Sequence, residues 1–476
     1  MAAMAEGGRC HIYSSPIHPP TNPKTLPPSH TTDDGHCSGR KLARAPAPHP
    51  PPPPPSSTMA ASAAALLLLV ALGGAAAQVF PPWNGTFPVP GFGGGSSGGA
   101  GAPAATGVPA MFVFGDSLTD NGNNNDLQSL AKANYPPYGI DFAGGPTGRF
   151  SNGYTMVDEI GKRAPPPVAP SVHSCMPCCR CFLTSLHGSL NSVATAVHGI
   201  NVSNSPSQLL GLPLLPSHPD ASSADAALHG VNFASAAAGI LDNTGQNFVG
   251  RIPFNQQIKN FEQTLGQLRT KLGGAGMARS IFYVGMGSND YLNNYLMPNY
   301  NTRNEYNGDQ YSTLLVQQYA KQLNTLYGLG ARRFVIAGVG SMACIPNMRA
   351  RSPRNVCSPD VDDLIIPFNN KVKAMVNNLN ANRHDAKFIY VDNYAMISEI
   401  LRFSVIDRGC CGIGRNRGMI TCLPFLRPCL NRNTYIFWDA FHPTERVNVL
   451  LGRAAFNGGT DVVYPMNIQQ LAAWQP

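Results

Sequence analysis

The sequence lacks the patterns that mark several large functional classes. No basic stripe interleaved with aromatic residues runs through its 476 residues, which argues against a nucleic-acid-binding surface. No Walker or dinucleotide-binding fingerprint is present, so no nucleotide cofactor is predicted. No G-x-S-x-G elbow follows a strand-like run, and this disfavours an ordinary α/β-hydrolase. Neither a metal nor a redox cofactor is implied.

Basic side chains outnumber acidic ones by a small margin, 34 to 26. The formal net charge is +8 at pH 7. Residues 1–77 hold five basic and three acidic side chains, and residues 162–207 hold three basic and no acidic ones. The rest of the chain therefore carries a formal charge of +3, which is typical of an ordinary solvated surface.

The first 107 residues differ in composition from the rest. Residues 1–58 contain a proline run and scattered Ser, His and Gly, a composition that cannot bury a core. Residues 59–77 are apolar and end in small residues, as a secretory signal peptide does, and are too short for a membrane span of ~20 strongly apolar residues. We predict that Met59 is the working start, that 1–58 is a disordered gene-model extension, and that 78–107 is a flexible Gly/Ala/Pro-rich segment. A genuine extension or a transit peptide is the alternative.

Two segments more than 300 residues apart supply the residue types of an acyl-transfer enzyme. In FVFGDSLTD, from Phe112, an apolar strand runs into a Gly-Asp-Ser turn and presents Ser117 at the carboxyl edge of a sheet, where ligands bind. A serine nucleophile needs a base within hydrogen-bond reach and a carboxylate that orients the base. The segment WDAFHP supplies both, as His442 and Asp439.

Two further passages have the form of a strand followed by small or polar residues. YVGMGSND, from Tyr283, delivers the amide of Asn289, and one side-chain donor to an oxyanion is typically worth ~3 kcal/mol in the transition state. GVNFASAAAGI, from Gly230, supplies small residues whose backbone N–H groups can approach a substrate oxygen closely. Both passages are expected at the same sheet edge as Ser117.

With these segments in place, the chain resembles the plant GDSL esterases/lipases of the SGNH hydrolase superfamily. The resemblance covers about Pro109 to the C-terminus, apart from one interruption. It implies that Ser117 is the nucleophile and first oxyanion donor, that Asn289 is another oxyanion donor, that Asp439 orients the base, and that His442 is the general base. The matching segments, in the family's order, are FGDSLTDNGNNN from Phe114, TGRFSNG from Thr147, GVNFAS from Gly230, GSND from Gly287 and FWDAFHPTE from Phe437.

One segment departs from the family's pattern. Where relatives usually read ASGGAGI, this chain reads ASAAAGI from Ala234. Alanine keeps its backbone N–H, so an oxyanion donor is expected to survive at Ala236 or Ala237 if the local φ is negative. If the position needs a positive φ, the Cβ costs roughly 1 kcal/mol or more and the oxyanion hole is misshapen.

Strand-like and helical segments alternate along the rest of the chain. Helical stretches with spaced apolar positions lie at 311–327 and 367–379, and such alternation predicts a parallel sheet covered on both faces. The resemblance implies a flavodoxin-like three-layer α/β/α sandwich, with a five-stranded parallel sheet in the order 2-1-3-4-5, for a single SGNH hydrolase domain over 108–476. The predicted strands are Ala110–Phe114, Val231–Ala234, Ser280–Val284, Arg333–Ala337 and Lys387–Val391.

Residues 162–207 interrupt this domain and match nothing in the family. They carry no acidic residue and no sustained periodicity, and a translated, unspliced intron is the simplest explanation. The alternative is a metal site formed by the four cysteines between Cys175 and Cys181. Four thiolates in seven residues leave no room for the separated pairs that a tetrahedral zinc site prefers, so no metal site is predicted.

Six cysteines remain outside the leader and the insertion, all in the C-terminal half of the chain. An even number of cysteines in such a cluster indicates disulfides formed in an oxidising compartment. Cys344 with Cys357 is the most economical local pair, and spacing leaves the other pairings open. The sequence also has glycosylation sequons at Asn84 and Asn201. The six cysteines are Cys344, Cys357, Cys410, Cys411, Cys422 and Cys429.

These observations predict a secreted serine esterase or lipase, located in the extracellular space or apoplast. It would hydrolyse small-molecule or lipid carboxylic esters through an acyl-enzyme, as a monomer without a membrane span. Two alternatives stay open. An acyltransferase of cuticle or cell-wall assembly would resolve the same acyl-enzyme with an alcohol. A catalytically impaired or non-catalytic secreted relative, or a misfolded translation product, would account for the Ala-Ala-Ala replacement and the interruption.

Overall fold

The centre of the fold is a sheet of short, buried strands. The computed structural model describes residues 107–161, 209–400 and 405–476. Within these ranges, β1 (Met111–Gly115), β2 (Ile281–Gly285), β3 (Arg333–Ala337) and β4 (Lys387–Val391) pair in parallel in that order, and β5 (Val463–Tyr464) pairs antiparallel with β4. Near-continuous apolar runs such as those of β1 and β3 are typical of parallel strands buried on both faces. The predicted leader, signal peptide, sequons and insertion lie outside the described residues.

The predicted strand at Val231–Ala234 is not a regular strand, although it lies where the strand was expected. Val113 N–H donates to the Val231 carbonyl at 3.0 Å, and Phe233 N–H donates to the Val113 carbonyl at 2.8 Å. The segment thus runs parallel to β1 on the side opposite β2, and the predicted order 2-1-3-4-5 holds for the five runs. Regular pairing with β1 stops at Gly115, because the Gly115 N–H donates to the side-chain Oε1 of Gln257 at 3.0 Å instead of to a carbonyl of this segment.

Helices cover both faces of the sheet and complete the predicted three layers. On one face α2, α5 and α7 pack side by side, and the other face carries α1, α8, α9 and α10. The predicted helical stretches lie inside α5 and α7. The helices are α1 (Met156–Gly161), α2 (Phe254–Arg279, interrupted at Gly273), α3 (Ser288–Asp290), α4 (Thr302–Glu305), α5 (Gly308–Gly328), α6 (Pro346–Arg351), α7 (Pro359–Asn382), α8 (Asn393–Ile400), α9 (Glu445–Asn457) and α10 (Ile468–Ala473), with 3-10 turns at Gln246–Phe248, Arg415–Arg417 and Arg432–Thr434 and a π-helical turn at Tyr291–Tyr295. No helix in the described ranges has the length and apolarity needed to cross a bilayer.

A row of phenylalanines crosses the sheet and ties its strands in register. Phe112, Phe282, Phe334 and Phe388 are successive register partners on β1 to β4. Their ring centroids are 5.2, 5.8 and 4.3 Å apart. Cross-strand aromatic pairs of this kind contribute roughly 0.2–1 kcal/mol each. The row aligns the four strands, so their carboxyl ends form one edge, and the loops that leave this edge carry the predicted site.

The end of α1 lies beside the segment that follows residue 208. Leu210 N–H donates to the Ile160 carbonyl at 3.1 Å, and Leu212 N–H donates to the Gly161 carbonyl at 2.8 Å. Two backbone hydrogen bonds therefore join the chain on the two sides of residues 162–208.

Candidate active site

β1 ends in a tight turn that presents Ser117. The backbone N–H of Leu118 donates to Asp116 Oδ1 at 3.0 Å, and the backbone N–H of Thr119 donates to the Asp116 carbonyl at 3.1 Å. Gly115 allows this turn, because a Cβ there would clash with Thr119 Oγ1. Ser117 is half-buried at the carboxyl edge of the sheet, as predicted.

Ser117, His442 and Asp439 form a continuous hydrogen-bonded chain. Ser117 Oγ lies 2.8 Å from His442 Nε2, and His442 Nδ1 lies 2.8 and 2.9 Å from the two carboxylate oxygens of Asp439. The backbone N–H groups of Phe441 and His442 also donate to Asp439 Oδ1, both at 2.9 Å. One turn of the chain therefore holds the carboxylate and the imidazole together.

The Asp439 carboxylate is fully buried, yet it is stabilised as an anion. Burial alone would raise its pKa, but the neighbouring His442 and the hydrogen bonds from His442 and Tyr138 outweigh burial, and the pKa of Asp439 is lowered. The Tyr138 hydroxyl donates to Asp439 Oδ2 at 2.6 Å. The sequence analysis missed this contact, since 301 residues separate the two side chains and no local pattern marks it.

Phe150 packs against the imidazole and links it to a second buried ion pair. Its ring centroid is 4.9 Å from that of His442 and 5.8 Å from that of Tyr138. The preceding residue, Arg149, makes a bidentate contact of 2.8 Å to Asp158 on α1. Although burial would raise the pKa of Asp158, the Arg149 guanidinium lowers it. The TGRFSNG segment thus packs against one side of the His442 ring through Phe150 and is anchored to α1 through Arg149.

Three N–H groups without a protein partner belong to residues that line one cavity, namely Ser117, Ala237 and Asn289. In the described part of the chain, neither the Ser117 N–H nor the Ala237 N–H donates a hydrogen bond. The amide of Asn289 donates one N–H to the Ala238 carbonyl at 2.9 Å, and its Oδ1 accepts from Asn293 at 2.6 Å. This pair of contacts fixes the amide orientation and leaves its second N–H available.

Ala236 and Ala237, the two candidate oxyanion donors of the Ala-Ala-Ala segment, differ in whether their backbone N–H is already hydrogen-bonded. The Ala236 N–H is already engaged, because it donates to Asp120 Oδ2 at 2.9 Å, so the expectation of a donor at Ala236 requires correction. The Ala237 N–H is the one left available. Ala237 has a φ of +66°, a left-handed conformation that costs an alanine roughly 1–2 kcal/mol. The expected penalty of a positive φ therefore falls on this residue.

Two buried aspartates tie the motif loops together, a role that the sequence analysis did not assign. Asp120 accepts from Gly122 and Asn123 N–H at 2.8 Å each, in addition to Ala236. Asp290 accepts from the backbone N–H groups of Ile240 and Leu241 and from the Thr244 hydroxyl. Burial raises the pKa of each carboxyl to about 6 despite these hydrogen bonds.

Disulfides hold the loop that carries Asp439 and His442. Cys344 pairs with Cys357, which confirms the predicted pair, and the remaining bonds join Cys410 to Cys429 and Cys411 to Cys422. The Cys410 and Cys411 N–H groups donate to the carbonyls of residues 437 and 438 at 3.0 and 2.7 Å. Of the three disulfides in the described ranges, two therefore include a cysteine whose backbone N–H bonds directly to the segment that leads into the Asp-His turn.

The site opens into a cavity of about 170 Å³ along the carboxyl edge of the sheet. Ser117, Ala237, Asn289 and His442 all line it, whereas Asp439 lies behind the imidazole. The structure therefore brings together every predicted site residue. Ala236 also lines the cavity, although its N–H is bonded to Asp120. Much of the remaining lining is apolar and includes Leu118, Leu130, Phe248, Leu292, Met342 and Phe441.

Comparison with known proteins gives consistent matches over most of the chain. The family model described as GDSL-like Lipase/Acylhydrolase matches residues 111–455. The chain is 53% identical over 377 residues to GDSL esterase/lipase At1g71691 of Arabidopsis thaliana, which covers 77% of this chain and 86% of that relative. It is 44% identical over 378 residues to GDSL esterase/lipase At1g71250 of the same plant, which covers 76% of this chain and 89% of that relative.

Proposed function

This chain belongs to the GDSL-like lipase/acylhydrolase family and is a carboxylic ester hydrolase, and we propose that it acts through a Ser117–His442–Asp439 triad. The observation that carries the proposal is the 2.8 Å contact between Ser117 Oγ and His442 Nε2, with Nδ1 of the same imidazole held by Asp439. A serine becomes a nucleophile at neutral pH when a base in this position removes its proton.

In the proposed first half-reaction, His442 takes the proton from Ser117 Oγ as that oxygen attacks the ester carbonyl carbon. Asp439 stabilises the imidazolium that forms. The imidazolium then gives its proton to the alkoxy oxygen of the leaving group. The bond between this oxygen and the carbonyl carbon breaks as the oxyanion re-forms the carbonyl, and the alcohol leaves. In the second half-reaction, water attacks the acyl carbon while His442 accepts its proton. The imidazolium then returns the proton to Ser117 Oγ as the bond between the acyl carbon and Oγ breaks, which releases the carboxylic acid and restores the free enzyme.

The available N–H groups of Ser117, Ala237 and Asn289 are proposed to stabilise the negative charge on the carbonyl oxygen. Each donor is already fixed before substrate binds, so little reorganisation is needed when the charge develops. The amide of Asn289 is fixed by its two hydrogen bonds. The left-handed backbone of Ala237 is the strained member of the set.

The cavity supports an ester with a substantial hydrocarbon part as substrate. Its walls are mainly apolar, and burial of an alkyl chain contributes about 0.8 kcal/mol per methylene. Secretion is the proposed setting for this reaction, and it is supported by three disulfides in the described part of the chain. Export from a Met59 start, followed by N-terminal sequencing, is expected to yield Gln78 as the first residue of the mature protein.

A fluorophosphonate probe tests the nucleophile directly, because it labels only an activated serine. Labelling at Ser117 together with ester hydrolysis is expected, and both should be lost in Ser117→Ala. Ser341→Ala is the matched control, since Ser341 lines the same cavity but donates to Asp362 at 2.7 Å instead of facing a base. Turnover that survives in Ser117→Ala would overturn the proposed mechanism.

The same acyl-enzyme can transfer its acyl group to an alcohol instead of water. Product analysis with glycerol or a fatty alcohol added to the assay separates the two outcomes. Hydrolysis predicts that the free acid stays the main product, whereas accumulation of a new ester would identify the chain as an acyltransferase.

A further inference from the structure

We propose that Tyr138 is a positioning residue, whose hydroxyl holds Asp439 in the orientation that aligns His442 with Ser117. This inference rests on the proposed triad and adds a fourth member to it. The contact is short, at 2.6 Å between the Tyr138 hydroxyl and Asp439 Oδ2. Both side chains are excluded from solvent, with Tyr138 only 1% exposed and Asp439 0%, so no water competes for the carboxylate.

The two oxygens of Asp439 have different hydrogen-bond partners. Oδ1 accepts from two backbone N–H groups of its own turn, whereas Tyr138 supplies the hydrogen bond to Oδ2 from outside that turn. His442 Nδ1 lies within reach of both oxygens. Without the hydroxyl, Oδ2 would be a buried anionic oxygen that shares one imidazole N–H with Oδ1. The hydroxyl therefore fixes the plane of the carboxylate relative to the imidazole.

Tyr138 is itself rigidly held. Its ring makes edge contacts with Tyr135, Phe150 and Trp438, at centroid distances of 5.5, 5.8 and 6.1 Å. The N–H of the next residue, Gly139, donates to the carbonyl of residue 151 at 2.9 Å. A group that is immobilised in this way positions its partner with little further loss of entropy, which is how supporting residues preorganise a site.

Tyr138 does not line the cavity, so its effect on the reaction passes through Asp439. Removal of the hydroxyl is therefore expected to lower kcat and to leave KM nearly unchanged. Tyr138→Phe keeps the ring and its packing, and removes only the hydroxyl with its hydrogen bonds to Asp439 and Thr421. The loss of one hydrogen bond to an ionised group corresponds to about a 10- to 100-fold change, and we expect kcat to fall by at least about tenfold.

Tyr135→Phe is the matched control. Tyr135 lies in the same loop and packs against Tyr138, but its hydroxyl donates to the Cys422 carbonyl at 2.9 Å. Each variant loses one tyrosine hydroxyl, and only one of them loses a contact to Asp439. Active-site titration with the fluorophosphonate probe normalises kcat to correctly folded molecules, so a partial loss of folding in either variant does not affect the comparison.

The acid limb of the pH–rate profile supplies a second readout that a purely structural role would not move. The titratable groups around Asp439 and His442 are Tyr138, the buried carboxyl of Asp116, which interacts with His442, and, farther away, Tyr135. Without the Tyr138 hydroxyl, more of the carboxylate charge acts on the imidazole, so the acid limb should shift to higher pH in Tyr138→Phe and stay in place in Tyr135→Phe. Equal kcat values and equal profiles in the two variants would overturn the positioning role. Ser117→Ala separates this result from a failure of the triad, because turnover in that variant would reject the proposed function itself.

Discussion

The disulfide between Cys411 and Cys422 offers a test of how the Asp-His turn is held. Replacement of both cysteines by serine opens a loop with a sequence separation of 11 residues, and the chain-entropy model assigns such a loop about 3 kcal/mol of stability. The bond between Cys344 and Cys357 closes a loop of similar size, with a separation of 13, and should contribute about the same amount. On stability alone, the two double-serine variants are therefore nearly equivalent.

Their catalytic effects should differ. Cys411 donates its N–H to the Trp438 carbonyl at 2.7 Å, directly before Asp439, so release of this crosslink loosens the turn that carries the carboxylate and the base. A displacement of about 1 Å at a catalytic group can reduce the rate by up to 100-fold, and we expect a decrease of at least about tenfold in kcat. The Cys344 and Cys357 variant should retain most of its kcat.

Urea unfolding and kcat, measured at a temperature at which both variants are folded, provide the assay. Parallel losses of stability with unequal losses of kcat are the expected result. If the Cys411 and Cys422 variant is destabilised by about 3 kcal/mol but keeps the parental kcat, the turn does not depend on this crosslink and the reasoning fails.

Three further predictions concern the oxyanion donors and the buried carboxylates. Asn289→Ala should lower kcat by about 100- to 1,000-fold with little change in KM, and a change confined to KM would assign Asn289 to substrate binding instead. Ala237→Gly should leave the free energy of unfolding, measured by urea unfolding, within about 1 kcal/mol of the parent. Relief of the left-handed strain is offset by the loss of methyl burial and by the more flexible unfolded chain. A decrease of more than about 2 kcal/mol in the free energy of unfolding would show that the strain is negligible. The pKa values of Asp120 and Asp290 are raised from 3.8 to about 6, which favours the protonated native state. Their contribution to the free energy of unfolding should therefore be complete below about pH 4 and should be lost as pH rises from about 4 to 6, measured by urea unfolding across this range. A flat profile over that range would contradict the raised values.

The strands could be predicted well because the parallel sheet is buried on both faces. β1 to β4 lie within one residue of the predicted runs, since each is a short apolar segment bounded by turn residues. The failures have local causes. Beside the predicted strand Val231–Ala234, the Gln257 side chain takes the Gly115 N–H that would have continued the ladder. β5 has only two residues, which is too short to carry a periodic pattern.

In the candidate site, too, the features that local sequence patterns encode could be predicted, and those that depend on distant contacts could not. Ser117, His442, Asp439 and Asn289 belong to short motifs, so the sequence indicates them directly. The choice between Ala236 and Ala237 depends on a hydrogen bond to Asp120, 116 residues earlier in the chain. The Tyr138 contact spans an even longer separation. Hydrogen-bond partners of this kind are set by the tertiary fold and cannot be recognised from the local spacing of residues in the sequence.

The hydrogen bonds that Leu210 and Leu212 donate to the carbonyls of Ile160 and Gly161 bring the two ends of a loop, residues 162–208, to one junction. The entropy of closing such a loop grows slowly with its length, by about 0.6 kcal/mol for each doubling. The sheet is therefore expected to form with almost any number of residues between Gly161 and Leu209. The same junction is a natural attachment point for an affinity tag, a fluorescent reporter or a surface tether, which would modify the protein without touching the edge that carries Ser117.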